Sequence, residues 1–216
     1  MTSLSEENYL KAIFGLSQVN GSKITPTAIA AALENNPASV IDMLKKLTDK
    51  KLINYDKKKG AKLTDKGYKA AVQIVRRHRL WEVFLLDKLG YTWDEVHDIA
   101  EQLEHVQQDD LADRLEKFLG YPEYDPHGDP IPDASGQITN AYTTMLYEIE
   151  EGKSCTVAAV RDTSTEFLQY LHKLNISIGT KLKVIEKIAF DESVIIQAGK
   201  NNMTVSKKFA ENILVK

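Results

Sequence analysis

His97, Glu101, Glu104 and His105 occupy positions i, i+4, i+7 and i+8 of VHDIAEQLEHV, a stretch whose spacing predicts a helix. At 3.6 residues per turn these four cover an arc of roughly 100°, so imidazole nitrogens and carboxylate oxygens converge on one stripe. That mixture of donors suits divalent first-row ions of intermediate hardness. His78 and Glu82, again four apart, offer a second pair. With a rise of about 1.5 Å per residue, His97 and His105 stand roughly 12 Å apart along the axis, too far to share one ion whose bonds are about 2.1 Å. Two metal positions per chain are therefore expected. An acidic helix is more often a solvated face, and one histidine alone means little. The surrounding charge favours the metal reading, because residues 81 to 116 hold eleven Asp or Glu against two Lys or Arg. Like charges at helical spacing repel, and bound cations would balance them.

Three segments must position these residues. From Ser5 to about Ala71 the predicted order is three helices and a hairpin. Tyr9, Leu10, Ile13, Phe14 and Leu16 repeat at helical spacing, and Asn20 with Gly21 predicts the turn that ends this first helix. Thr25 is placed to cap TAIAAAL with Pro26 at its first position, and Pro37 likewise opens PASVIDMLKKLTDK, with Val40, Leu44 and Leu47 on the buried face. Two short helices joined by a tight polar turn form a helix-turn-helix. The following LINYDKKKGAKLTDKG places two apolar runs around a lysine-rich turn ending in Gly60, which completes a winged helix. Ala38, Ser39 and Asp42 are the candidates for base contacts, and an acid such as Asp42 would accept from a cytosine amino group or be held away from phosphates. Thr27, Pro37, Lys45, Lys57, Lys58 and Lys59 complete the candidate DNA-binding set, joined by Lys62; the wing lysines would neutralise phosphates and carry no sequence information.

Tyr68 to about Leu119 reads as all-helical and carries the metal stripe. Its apolar residues, among them Leu80, Trp81, Val83, Phe84, Leu85, Leu86, Leu111 and Leu115, suit a dimer interface. A homodimer also fits DNA reading, since two-fold proteins bind palindromic half-sites. YPEYDPHGDPIPDASGQ, dense in Pro, Gly and Asp, reads as a loop and linker. From Ser154 to Lys216, CTVAAV, TKLKVIEKI and SVIIQA are strand-like, with a helix in STEFLQYLHKL and turns at Gly179, AFDES and GKNN. A small SH3-like β-barrel is the most economical closure. The expected class is mainly α with small β: a winged-helix domain over 1–71, a helical metal-binding and dimerisation domain over 72–140, a linker over 141–153 and the barrel over 154–216.

With 216 residues, 43 % hydrophobic and 27 % charged, the chain is ordinary globular material, and its net charge of −3 conceals a split. Lys45 to Lys69 contains ten lysines and three aspartates, directly ahead of the acidic stretch. Nucleic acid on one side and metal on the other is the reading this asymmetry supports. Cys155 is the single cysteine, which excludes an internal disulfide and a thiolate cluster. MTSLSEENYLKAIF lacks the charge and apolar pattern of a leader, and no run approaches 18 apolar residues, so a cytoplasmic protein without membrane partners is expected.

SEENYLKAIF, NPASVIDMLKKL, LTDKGYKAA, RRHRLWEVFL, VHDIAEQLEHV and PHGDPIP, in this order and spacing, resemble the diphtheria-toxin repressor family of iron- and manganese-dependent transcriptional regulators over nearly the whole chain. The resemblance implies a primary metal site on Asn8, Glu101, Glu104 and His105. It implies an ancillary site on His78, Glu82 and His97, completed from an SH3-like (FeoA-type) domain by Glu166, with Asp162 the weaker candidate. It further implies a repressor of metal-ion uptake genes, a protein that is not an enzyme. Three departures bear on the metal. Glu101 stands where the iron-responsive branch places cysteine, which shifts preference toward Mn²⁺ with Fe²⁺ close behind. Asn8 replaces a methionine or aspartate. Lys11 replaces a ligating glutamate of the short manganese-responsive branch, whose closely spaced two-metal cluster is then not expected. An ion held by Asn8 together with Glu101, Glu104 and His105 would clamp the reading head to the dimer body and select the DNA-competent conformation. The competing readings are a binuclear metallohydrolase, for which no spare general base and no Gly-rich phosphate cradle are evident, and a winged-helix regulator sensing an organic ligand.

Overall fold

α1 (Leu4–Gln18) buries Tyr9, Leu10, Ile13 and Phe14 against α2 (Pro26–Ala32) and α3 (Pro37–Asp49), whose inner face is Val40, Leu44 and Leu47. The computed structural model describes residues 2–18, 23–108, 110–139 and 142–216; the turn expected at Asn20 and Gly21 lies outside them. Thr25 Oγ1 accepts from the Ala28 N–H at 3.1 Å and Asn36 Oδ1 from the Ala38 N–H at 2.8 Å, so both helices start where a capping side chain precedes proline. Leu44 and Leu47 are fully enclosed, and truncating either to alanine would cost about 2–5 kcal/mol.

The wing is the antiparallel pair β1 (Ile53–Asp56) and β2 (Gly60–Leu63), in register from Ile53↔Leu63 to Asp56↔Gly60. Asp56 Oδ1 accepts the N–H groups of Lys58 and Lys59, each at 2.8 Å, which fixes the lysine turn. Gly60 has φ +84°, and a Cβ there would meet the Ile24 carbonyl oxygen at 2.6 Å, so only glycine fits.

α4 (Asp65–Leu89) runs 25 residues, followed by α5 (Val96–Leu103) and α6 (Leu111–Leu119). The helix expected through VHDIAEQLEHV therefore stops at Leu103, and Glu104 and His105 lie in the turn beyond it. Arg77 Nε donates to the Glu104 carbonyl at 2.5 Å, and Val106 N–H closes the turn on Leu103 O at 3.1 Å. These bonds satisfy groups that the helix end leaves open.

By backbone contacts the chain forms two units: Met1–His78, Glu101–Arg114 and Pro132–Gln137 in the first; Arg79–Ala100, Leu115–Ile131 and Ile138–Lys216 in the second. The second contains β3 (Ser154–Val160), α7 (Thr165–Lys173), β4 (Lys181–Lys187), β5 (Val194–Ala198), β6 (Asn201–Val205), α8 (Lys207–Glu211) and β7 (Ile213–Val215). Its antiparallel sheet has the order β6-β5-β4-β3-β7 and encloses Val157, Leu168, Leu171, Val184, Ile196, Phe209 and Ile213. The strand-like runs and the helix read from the sequence are present, joined by β6, α8 and β7, which the sequence reading did not separate; β6 begins at Asn201, inside the GKNN stretch expected to be a turn.

Two expectations need correction. The segment read as a linker is instead structured around Asp125 and His127, which are 6 % and 2 % exposed. It is docked on β3: Val160 N–H donates to His127 O at 2.9 Å, and a Cβ on Gly128 would meet Ala158 O at 2.2 Å. Several apolar residues assigned to a dimer interface, namely Leu80, Val83, Leu85 and Leu115, are buried within the single chain. The apolar side chains left exposed in that unit include Leu89, Tyr91, Phe118 and Tyr121.

Candidate metal centre

Within the first unit, α1, the middle of α4, the last turn of α5 and the turn beyond it bring ionisable groups together. Glu7 and Glu104 are buried, at 3 % and 0 % exposure. Glu7 Oε2 lies 2.7 Å from His105 Nδ1 and 3.6 Å from Arg77. Its Oε1 accepts from Thr2 Oγ1 at 2.8 Å and from Gln107 Nε2. Burial, opposed by the charges of Glu7 and Glu104, lowers the Arg77 guanidinium from its ordinary value. With Nδ1 held by Glu7, the His105 ring presents Nε2 elsewhere, 3.8 Å from Glu104 Oε1. A carboxylate behind an imidazole is the usual support of a metal-ligating histidine, because it fixes ring orientation and tautomer.

Donor atoms in this centre fit a cation. Glu104 Oε1 and Asn8 Oδ1 are buried and have no hydrogen-bond partner among the described residues. A buried acceptor left unpaired is costly, and the more so for a carboxylate. The 3.8 Å between Glu104 Oε1 and His105 Nε2 also suits a shared ion, since two ligands with bonds of about 2.1 Å stand about 3–4 Å apart. Glu104 Oε2 is engaged differently, by Lys11 Nζ at 2.6 Å and His78 Nδ1 at 2.6 Å; Lys11 also meets Glu101 Oε1 at 2.7 Å. All four residues of the expected primary site, Asn8, Glu101, Glu104 and His105, thus lie in the first unit, joined by Glu7, Lys11 and His78.

A second group lies in the other unit. Glu82, Asp125 and His127 are buried, and one ligand atom from each falls within 4.8 Å of the others. Glu82 Oε1 is 3.2 Å from His97 Nδ1 and Glu82 Oε2 is 3.6 Å from His127 Nδ1. His127 Nε2 bonds to the Trp93 carbonyl at 2.9 Å, which leaves Nδ1 facing the carboxylates. Burial opposes the imidazolium of His127, yet the hydrogen bond and charge of Glu82 and the charge of Asp125 outweigh it and raise the pKa to about 9. Burial, then Glu82 and Asp129, raise Asp125 to about 7 against the pull of Arg79 and His127. Glu82 and His97 of the expected ancillary set are therefore neighbours, with Asp125 and His127 beside Glu82. Glu166 is exposed on the first turn of α7, and Asp162 accepts from the Ser164 N–H at 2.9 Å.

Glu7, Asp125 and His127 were missed by sequence reasoning. PHGDPIP carried a signal in its paired acid and histidine, overridden by its proline and glycine content. Glu7 carried little, because an acid in the first turn of a helix is already favoured by the helix dipole.

Of the residues expected to contact DNA, Thr27, Pro37, Ala38, Ser39, Asp42 and Lys45 are exposed, as are Lys57, Lys58, Lys59 and Lys62 on the wing. Asp42 pairs with Lys45 at 3.0 Å, which partly neutralises an acid on the face otherwise suited to DNA. Ile41 is 38 % exposed beside them, an apolar side chain able to contact a thymine methyl.

Comparison with known proteins finds matches along most of the chain. Residues 1–61 match the family described as iron dependent repressor, N-terminal DNA binding domain; residues 64–133 match the iron dependent repressor metal binding and dimerisation domain; and residues 144–216 match the FeoA domain. The iron-dependent repressor IdeR of Mycobacterium leprae is 31 % identical, the alignment covering 97 % of this chain and 95 % of that one. A solved structure described as a manganese-dependent transcriptional repressor complex with manganese superposes with a TM-score of 0.89 at 33 % identity, over 97 % of this chain and 98 % of the other. The manganese regulator SloR gives 0.82 at 35 % identity, over 98 % and 97 %.

Proposed function

Since the chain belongs to the iron-dependent repressor family, with DNA-binding, metal-binding and FeoA domains in sequence, we propose that it represses transcription when loaded with a divalent metal, Mn²⁺ before Fe²⁺. It binds a palindromic operator as a homodimer, and it regulates without catalysing a reaction. The observation that carries the reading is the pair of unpartnered buried acceptors, Glu104 Oε1 and Asn8 Oδ1, with His105 Nε2 beside the first. A bound ion supplies the positive charge those oxygens lack. Asn8 holds it from α1 of the winged helix; Glu101, Glu104 and His105 hold it from the end of α5 and the turn beyond. Glu7 orients His105, and Arg77 holds the turn by the Glu104 carbonyl.

The donor set supports manganese. It consists of carboxylate and amide oxygens with imidazole, and the lone thiol, Cys155, is buried in β3. Hard oxygen donors favour Mn²⁺ over ions that prefer thiolate, while availability in the cell selects it over ions that bind any such site more tightly. Glu82, Asp125 and His127, with His97, form the second site. The exposed Leu89, Phe118 and Tyr121 supply the dimer surface.

The reading is tested by selecting DNA from a random pool with the Mn²⁺-loaded protein and measuring affinity for the selected duplex at fixed salt. Mn²⁺ raises affinity tenfold or more. Equal binding after chelation rejects the proposal.

A further inference from the structure

α1 turns opposite sides to two tasks. At 3.6 residues per turn, Glu7, Asn8 and Lys11 fall on the side of the metal centre, whereas Glu6, Tyr9, Leu10 and Ile13 fall on the other and are buried. Glu6 is the one charge on that buried side, and its partners come from the far end of the recognition helix. Lys46 Nζ lies 3.0 Å from Oε1, and Lys50 Nζ lies 2.7 Å from Oε1 and 2.9 Å from Oε2. The same carboxylate closes the first turn of α1. Its Oε2 accepts the Ser3 N–H at 3.0 Å while Ser3 Oγ accepts the Glu6 N–H at 3.4 Å, the reciprocal pair of a capping box. One side chain therefore fastens the turn that carries Glu7 and Asn8 to the C-terminal end of α3.

We infer that Glu6 is a positioning residue for DNA recognition, making the first turn of α1 and the end of α3 move as one body, so that an ion drawing on Asn8 also sets the direction of the recognition helix. This rests on the reading of the centre as metal-binding. The other end of α3 has its own tie to α1. Asn35 Nδ2 donates to the Tyr9 hydroxyl at 3.3 Å, Asn35 Oδ1 accepts the Asn36 N–H at 2.7 Å, and Asn36 caps α3. α3 is 13 residues long, about 20 Å at 1.5 Å per residue. A tie at one end of such a rod fixes a pivot; ties at both ends fix its direction, on which the reach of Ala38, Ser39 and Asp42 to base edges depends. Without Glu6 the pull of the ion is taken up in the first turn of α1, because the enclosed apolar contacts of that helix begin only at Tyr9. The two lysines are half exposed, yet the carboxylate is fully enclosed, so their loss leaves a buried charge uncompensated.

The test separates coupling from support. Glu6→Gln keeps the capping box, which glutamine also forms, and removes the charge that holds the lysines. Full-length wild type and variant are titrated with Mn²⁺ by calorimetry in the absence of DNA. Affinity for the selected duplex is then measured by fluorescence anisotropy at saturating Mn²⁺ and after chelation. The quantity read is the ratio of the two DNA affinities, since lysines released from Glu6 add to phosphate binding with or without metal. In Glu6→Gln that ratio is expected to fall about threefold or more, while Mn²⁺ affinity without DNA stays within about twofold. A smaller fall overturns the role of Glu6. So does a comparable loss of Mn²⁺ affinity without DNA, which would make Glu6 a support of the metal centre alone. A wild-type ratio near one overturns the metal-dependent reading itself. Should Glu6→Gln not fold, Lys50→Gln carries the same readings, because it leaves Glu6 paired with Lys46 and Ser3; an unchanged ratio there contradicts the inference.

Discussion

Glu7 and His105, 98 positions apart in the chain, meet carboxylate to imidazole at 2.7 Å, and this contact turns the remaining ring nitrogen toward Glu104. Removing the carboxylate should leave the fold in place and loosen the ring. Glu7→Gln is expected to weaken Mn²⁺ binding about 10–100-fold, as loss of a supporting contact behind a histidine ligand does. Calorimetry with Mn²⁺, alongside a circular dichroism melt to confirm folding, measures it; unchanged affinity would show that His105 needs no such support.

Glu6, the neighbour of Glu7, faces the recognition helix instead. It is fully buried and pairs with Lys46 at 3.0 Å and Lys50 at 2.7 Å. Burial pushes its carboxyl up, but hydrogen bonds from Lys50, the Ser3 N–H and Lys46 win and hold the pKa at about 2, below the ordinary 4.5. A depressed carboxylate contributes stability that is present above pH 4.5 and lost as pH falls toward 2. The melting-temperature advantage of wild type over Glu6→Gln should therefore shrink from pH 5 to pH 3. An advantage that stays constant over that range would mean the pairs add nothing, as is common where the lysines are half exposed.

The second group should respond to pH in a higher range. His127, held near 9, is protonated at pH 7, and Asp125, near 7, is partly so. Both must release protons to ligate, so metal affinity at this group rises as pH increases from 6 to 9. Mn²⁺ titration of the Glu104→Gln protein, in which only this group remains, checks the slope; a flat profile would remove His127 from the ligand set.

On the DNA face two substitutions should separate. Ile41→Ala is expected to cost about 1–3 kcal/mol on the preferred duplex and to relax selection at one position. Lys58→Ala should weaken all duplexes alike and reduce the salt slope by about 1. Fluorescence anisotropy on matched and mismatched duplexes at several salt concentrations distinguishes them.

Local chemistry made the winged helix readable. Thr25 before Pro26, Pro37 opening α3 and Gly60 closing the wing are rules that act within a few residues, and each holds. What depended on distant partners was not readable. α5 stops at Leu103, Arg77 takes the Glu104 carbonyl beyond it, and nothing in VHDIAEQLEHV announces either. β7 is three residues long and exists by pairing with β3 through Val160↔Ile213. PHGDPIP has the composition of a linker, and only its docking on β3 makes it part of a site. Glu6 did leave a trace, since it shares a helical face with Leu10 and Ile13, where a charge requires a buried partner.

The central claim is that one ion joins Asn8 of α1 to Glu104 and His105. Crystals grown with MnCl₂ and measured on both sides of the manganese absorption edge test it directly. The account predicts an anomalous peak at bonding distance from Glu104 Oε1 and His105 Nε2, with Asn8 Oδ1 among the ligands. A map with manganese at Glu82, Asp125 and His127 and none at Glu104 would contradict it.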